Sequence, residues 1–220
     1  MIRRFGGRRL VALCSLVALG LTACGESDFD FVGSPDRKAY FKVPLEWEEY
    51  SKRDLLAASG LDLSEVTQET LPWLVAYDSA PDPSADHILE LGDAPNHPVV
   101  IAQARVLDFA SRDQTSLGSI RNELYPVDEL VQGDAAEIRD YEELVLDRGY
   151  RGIRIEFDVT LGGNAEITAG NEVIRVHQIG IVDPGTETLY LFAIRCESHC
   201  FDENDKLIDQ IVDSWTVKEL

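Results

Sequence analysis

Residues 153–161 read Ile-Arg-Ile-Glu-Phe-Asp-Val-Thr-Leu, a strict alternation of apolar and polar side chains. A period of two places all the apolar residues on one face of a β-strand. Two apolar runs follow, at 173–182 and 188–196, and the Asp-Pro-Gly-Thr sequence at 183–186 between them is typical of a hairpin turn. This part of the chain therefore predicts three strands of a mostly antiparallel sheet.

The strand at 188–196 is apolar on both faces, which is expected of a central strand that is covered on both sides. The closing segment, 207–215, has the pattern of an amphipathic helix, and Ser51-Lys-Arg-Asp54 is a capping-box pattern that begins a shorter helix. We therefore expect an α+β fold, an α/β/α sandwich in which helices cover both faces of a mostly antiparallel sheet. Further strands are predicted at 40–44, 47–50, 73–77 and 99–107, and short helices at 117–124 and 126–132.

The amino terminus has the layout of an export signal. Four arginines within residues 1–9 precede an uncharged apolar run, 10–21, that is too short to span a bilayer. The sequence Leu21-Thr22-Ala23-Cys24 follows and resembles the lipobox of bacterial lipoproteins. The resemblance implies cleavage before Cys24 and a diacylglyceryl group on its sulfur. The alternative is an ordinary cleaved signal with an incidental cysteine.

Three segments are predicted on this basis. Residues 1–23 are a lipoprotein signal peptide, residues 24–36 an acidic flexible tether, and residues 37–220 a single α+β domain. The 220-residue chain has 40 acidic and 20 basic residues, and without the four arginines of the signal its net charge is −24. Such a charge argues against nucleic-acid binding and is repelled by anionic lipid. We therefore expect the lipid on Cys24 to hold the protein at the extracytoplasmic face of the cell membrane.

The four cysteines are expected to be processed or modified in different ways. Cys14 leaves with the signal, Cys24 carries the lipid, and Cys196 and Cys200 remain as a pair in an oxidising compartment, where a disulfide is expected. Two alternatives stay open for that pair. The C-x-x-x-C spacing departs from the C-x-x-C of thioredoxin-like redox motifs, and a metal site that includes His199 lacks a second cluster of ligands.

A further resemblance rests on the two ends of the predicted domain. The Phe41-x-Val43-Pro44-x-x-Trp47 element and the closing Asp-Ser-Trp-Thr-Val at 213–217 resemble the corresponding parts of PsbP-like proteins. That fold is shared by photosystem extrinsic proteins, a Ran-binding import factor and actinobacterial LpqN-type lipoproteins, and the lipobox makes the last group the most similar. The resemblance implies an α/β/α sandwich with a non-catalytic accessory or binding role, and it carries over no functional residue.

Catalytic motifs are absent from the sequence. There is no G-x-S-x-G, H-E-x-x-H, Walker A or G-x-G-x-x-G pattern, so we predict no catalytic residue, no metal and no cofactor. Arg175 and His177 share one strand face, and we interpret them as a solvent-facing pair. Three acidic residues of the long segment 79–98 and its preceding strand would hold calcium only if that segment folded back: Asp78, Asp82 and Asp86.

Three functions from different classes follow. The chain is interpreted first as a non-enzymatic, membrane-anchored envelope module that binds a protein partner. The second hypothesis is a carrier for an envelope lipid or glycolipid, with a cleft lined by residues such as Tyr190 and Phe192. The third is a hydrolase or thiol-redox enzyme whose site forms only in three dimensions. An apolar pocket would favour the second, and a cleft with strongly shifted titratable groups the third.

Overall fold

The computed structural model describes residues 28–60, 71–91, 96–161 and 172–218. Most strands of these ranges form a seven-stranded antiparallel sheet, and three form a smaller sheet. The strands are β1 (Phe29–Gly33), β2 (Ala39–Pro44), β3 (Glu48–Ser51), β4 (Trp73–Asp78), β5 (Val99–Val106), β6 (Ala136–Val145), β7 (Arg151–Thr160), β8 (Val173–Val182), β9 (Thr188–Glu197) and β10 (Thr216–Val217).

The large sheet has the order β3-β4-β5-β9-β8-β7-β6, and the small sheet the order β1-β2-β10. The three strands predicted from the alternating stretch are confirmed as β7, β8 and β9. The predicted central strand is also confirmed, because β9 pairs with β5 on one side and with β8 on the other.

Helices lie on both faces of the large sheet, so the predicted fold class is confirmed. The helices of the described ranges are α1 (Lys52–Ala58), α2 (Asp86–Leu89), α3 (Phe109–Gln114), α4 (Leu117–Ile120), α5 (Val127–Gln132), α6 (Ser198–Glu203) and α7 (Asp205–Ser214). Ser51 and Asp54 form the predicted capping box at the start of α1.

One face of the large sheet packs against α6, α7 and the small sheet. Phe41 of β2 and Ile208 of α7 are buried in the same core as Phe192 of β9. The three tryptophans belong to this core: Trp47, Trp73 and Trp215 are buried, and the last two stack with an interplanar angle of 3°. The small sheet therefore covers the centre of the large sheet on this face.

The opposite face is covered by α1, α2, α4 and α5. Ile120 of α4 and Val127 of α5 pack on the β7–β8–β9 part of the sheet. Leu55 of α1 and Ile88 of α2 pack on β4 and β5. Each strand near the centre thus buries both of its faces, which explains why its sequence is apolar throughout.

Among the differences from the sequence prediction, three concern β1, α4 and β6. Residues 29–33, predicted as part of a flexible tether, form β1, because Phe29 and Val32 pack against the core. The helix predicted over 117–124 ends at Ile120. The ten-residue strand β6 was not predicted, because it lies at the sheet edge and its residues are mostly exposed. The signal, Cys24 and residues 25–27 lie outside the described residues.

Candidate functional site

A cleft of about 440 Å³ opens between the β6–β7 end of the large sheet and β10. Leu144 of β6, Ile179 of β8 and Trp215, which ends α7, contribute apolar wall to it. Arg154 of β7, Lys218 after β10 and the turn between β6 and β7 contribute charged groups. The cleft therefore combines an apolar wall with polar groups, and it is open to solvent on one side.

The turn between β6 and β7 brings a second arginine to the cleft. Arg148 has φ 59° and Gly149 has φ 88°, both in the left-handed region that glycine tolerates and arginine adopts only with strain. Leu146 and Tyr150 close this turn through a backbone hydrogen bond of 2.9 Å, in which the Leu146 amide donates. The chain thus holds an unfavourable backbone conformation at a residue that lines the cleft.

Two buried donors that line the cleft lack a hydrogen-bond partner among the described residues. They are the Nε–H of Arg154 and the indole Nε1–H of Trp215. The guanidinium of Arg154 lies 3.7 Å from Asp213, too far for a direct hydrogen bond. A buried donor without an acceptor is costly. Because these two atoms are themselves buried, a ligand with acceptor oxygens would instead bind the exposed part of the Arg154 guanidinium, whose side chain is 32% exposed. The apolar wall would receive the hydrocarbon part of such a ligand.

Arg175 and His177 are not the solvent-facing pair that we expected. Their side chains are only 11% and 12% exposed. Asp158 accepts a 2.8 Å hydrogen bond from Nε of Arg175, and Asp202 of α6 pairs with the same guanidinium. The strand face is covered because α6 packs over it and supplies that second carboxylate. Arg175 is therefore held in ion pairs.

His177 and Glu156 both have shifted pKa values. Burial, aided by the charge of Arg154, lowers the pKa of His177 to about 4. Burial raises the pKa of Glu156, and the charges of Arg175 and Arg139 oppose that rise. A distance of 4.0 Å separates Nδ1 of His177 from Glu156. Because His177 is neutral and lies next to no nucleophile described here, this group lacks the arrangement of an acid–base site.

Cys196 and Cys200 lie at disulfide-bonding distance, with Cα atoms 6.0 Å apart. Both side chains are buried in the core beneath α6. The side-chain amide of Asn204 donates a 2.8 Å hydrogen bond to the carbonyl oxygen of Cys200. This geometry is compatible with the expected disulfide, and the oxidation state of the pair stays a prediction.

Asp78, Asp82 and Asp86 do not converge on a cation site. Asp78 is buried and accepts hydrogen bonds from the amides of Ala80 and Ser84, and its carboxylate lies 2.7 Å from Nδ1 of His87. It therefore stabilises the turn after β4. Within residues 28–60, 71–91, 96–161 and 172–218, no group of three or more His, Cys, Asp or Glu is arranged to hold a metal ion.

The lipid cleft that we placed at Tyr190 and Phe192 is wrong. Both residues are fully buried. The ring of Phe192 packs 5.5 Å from that of Phe41 and 5.2 Å from that of Trp215, and the hydroxyl of Tyr190 donates a 2.8 Å hydrogen bond to Asp36. The small sheet covers this part of the large sheet, and the sequence pattern had not revealed that cover.

The cleft residues were missed by sequence reasoning. Arg154 was predicted on the polar face of its strand, but nothing marked it as different from Glu156 or Asp158. The signal that could have found the cleft is the Leu144-Val-Leu146 run before Arg148-Gly149, an apolar strand end followed by a turn. In the part of the chain that the structure describes, no helix has the length and apolarity needed to cross a membrane.

Comparisons with known proteins support the fold at the level of structure, but not at the level of sequence. No family model matches the sequence, and no curated protein sequence is similar to it. The structure is similar to cyanobacterial PsbP (CyanoP) from Synechocystis, with a TM-score of 0.50 and 12% identity over 89% of this chain and 96% of that one.

Two further solved structures are similar at lower scores. The Ran-binding protein Mog1p of Saccharomyces cerevisiae has a TM-score of 0.44 and 11% identity, over 87% of this chain and 96% of that one. LpqN of Mycobacterium tuberculosis, which is involved in cell envelope biogenesis, has a TM-score of 0.43 and 12% identity, over 87% and 91%. Identities this low carry no function across. What the likeness to CyanoP does establish is that this chain has a PsbP-like α+β fold.

Proposed function

We propose that this chain is a non-enzymatic binding module, anchored by a lipid on Cys24 at the extracytoplasmic face of the cell membrane. In this proposal residues 1–23 are the signal peptide, and the domain begins at β1 rather than at residue 37. The observation that carries the binding role is the cleft of about 440 Å³, which combines an apolar wall with the basic side chains of Arg148, Arg154 and Lys218. The similarity to CyanoP supports the PsbP-like fold and not the binding role.

The chemistry of the cleft favours an acidic partner with an apolar group. Arg148, Arg154 and Lys218 face one acidic residue of the lining, Asp147. This local excess of positive charge contrasts with the −20 of the whole chain. A carboxylate of the partner would accept from the exposed part of the Arg154 guanidinium, and an apolar side chain would pack on Leu144 and Trp215. Complementary charge of this kind selects partners and speeds association.

The enzyme hypotheses have less support. The buried ionic groups around Arg175 are paired with one another, and the Cys196–Cys200 pair is buried. A screen of the purified domain against generic esterase, phosphatase, glycosidase, peptidase and disulfide-exchange substrates should give no turnover. Turnover that disappears on substituting one or two buried polar residues would refute the binding-module proposal.

The anchor is tested by Cys24→Ser in the full chain. Wild type should partition into the detergent phase of membrane extracts, and the purified protein should carry the mass of a diacylglyceryl group. The serine variant should be unprocessed or shed, because serine offers no thiol for lipid attachment. A serine variant that partitions like wild type would show that Cys24 is not the lipid attachment site.

A further inference from the structure

The outer face of the small sheet carries aromatic and cationic side chains in alternation. Phe31 of β1 is 66% exposed and pairs in register with Lys42 of β2, whose Nζ lies 5.5 Å from the centre of its ring. Tyr40 is covered in the same way by Nζ of Lys218, also at 5.5 Å. We call these four residues the β1–β2 face.

The β1–β2 face is open and differs in charge from the rest of the molecule. Its four residues line a shallow depression of about 360 Å³, in which Asp213 is the only acidic lining residue among those that the structure describes. The whole chain has twice as many acidic as basic residues. Aromatic rings beside lysines suit the membrane–water interface, where the rings lie at headgroup depth and the ammonium groups reach lipid phosphates.

The chain enters the domain at the margin of this face. The carbonyl oxygen of Asp28 accepts a hydrogen bond from the amide of Leu45, a residue that is 61% exposed. Cys24 lies four positions before Asp28, and even a fully extended chain of that length spans only about 14 Å. A lipid on Cys24 therefore keeps Leu45 and Phe31 within reach of the headgroups. The predicted tether is shorter than its sequence indicated, because β1 has taken up residues 29–33.

We propose that the β1–β2 face lies against the bilayer and fixes the orientation of the anchored domain. Phe31 and Leu45 enter the headgroup region, and Lys42 and Lys218 bind lipid phosphates. This inference rests on the proposed anchor at Cys24. The face orients the protein but does not hold it there alone, because the net charge of the mature chain opposes binding to anionic lipid.

The orientation has a consequence for the cleft. Thr216 and Lys218 line both the depression on the β1–β2 face and the cleft described above. A domain that lies on this face holds the cleft at the edge of the contact with the membrane. A partner would then reach the cleft from the side, along the membrane surface.

The test places a single added tryptophan on the face. The mature chain from Cys24 is coupled through the Cys24 thiol to a maleimide lipid in vesicles of phosphatidylcholine and phosphatidylglycerol. Cys196 and Cys200 are buried and do not compete for the maleimide. Phe31→Trp is the probe. Phe109→Trp is the matched control, because Phe109 is 84% exposed on α3 and lies beneath Arg112, 5.2 Å from the ring centre.

Trp47, Trp73 and Trp215 emit in every variant, so the emission of wild type is subtracted. In vesicles, the emission added by Phe31→Trp should shift to the blue and be quenched by lipids brominated close to the headgroup. The emission added by Phe109→Trp should stay unshifted and unquenched, and adding Lys42→Glu to the probe should reduce its quenching. Equal behaviour of the two tryptophan variants would overturn the proposal. Because the anchor is chemical, this outcome does not depend on whether cells acylate Cys24, which the partition of Cys24→Ser decides separately.

Discussion

His177 makes the stability of the domain depend on pH in a defined window. Its folded-state pKa is lowered from 6.5 to about 4, so between these values the unfolded chain binds a proton that the folded chain does not. The contribution of His177 is complete above pH 6.5 and is lost as the pH falls toward 4. At pH 4 the loss amounts to about 3 kcal/mol of the free energy of unfolding.

A His177→Gln variant isolates this contribution, since glutamine does not titrate. Urea denaturation at about pH 7.5 and pH 4 should show wild type losing about 3 kcal/mol more than the variant. The other titratable groups are common to both proteins and cancel in the comparison. Parallel losses in the two proteins would contradict the assignment of a buried, neutral histidine.

The Cys196–Cys200 bond is predicted to be intact in the exported protein. Peptides containing these residues should resist alkylation until the protein is reduced, and both should then alkylate. Closing a loop this small stabilises the domain by about 2 kcal/mol in the chain-entropy account. The Cys196→Ala, Cys200→Ala double variant should therefore unfold at lower denaturant. Two thiols that alkylate freely in the unreduced, unfolded protein would disprove the disulfide.

Strands β7 and β8 approach each other closely at Gly152. A Cβ at this position would overlap the carbonyl oxygen of Gly180 and lie 2.9 Å from Cα of Ile181. Gly152→Ala should therefore destabilise the domain by about 1–3 kcal/mol, as overpacking does in other cores. Gly118→Ala is the control, because its Cβ would meet only Oγ of Ser116, at 3.7 Å.

Thermal or denaturant unfolding of both variants tests this packing. The Gly118→Ala protein should stay within about 1 kcal/mol of wild type, since alanine is the better helix former in α4. A Gly152→Ala protein as stable as the Gly118→Ala protein would show that the two strands are farther apart than described.

The sequence predicts best those strands and helices in which one face is buried and the other is polar. Strand β7 alternates because one face is buried against α4 and the other meets charged groups. Strand β6 has no such pattern, because as an edge strand it exposes Glu137, Asp140 and Glu142 and is held mainly by its pairing with β7. Its formation depends on a neighbour and not on its own composition.

The cleft could not be predicted either, because it too depends on contacts between distant parts of the chain. Its wall includes Leu144, on the strand that was missed, and Trp215, whose unpartnered indole N–H follows from tertiary packing. The cover of Tyr190 and Phe192 by the small sheet likewise depends on residues more than 100 positions away, such as Asp36 and Phe41. Local patterns carry no information about such contacts.

On the scale of the whole molecule, the net charge of −20 contrasts with the basic side chains that line the cleft and the β1–β2 face. A net charge far from zero favours solubility and opposes non-specific contact with anionic lipid. The β1–β2 face is proposed to meet the membrane, and the cleft is proposed to meet the partner. Lys218 borders both sites, so the two contacts lie side by side on one edge of the domain.

Photo-crosslinking in living cells, from two adjacent residues, tests most directly whether the cleft binds a partner. Leu144 lines the cleft, whereas Val145 is 88% exposed and pairs with Arg151 instead of Gly152. A photoreactive residue at 144 should give a discrete adduct that Arg154→Gln abolishes and Arg151→Gln preserves, and the same residue at 145 should give none. No adduct from position 144, or the same adducts from both positions, would contradict the binding role of the cleft.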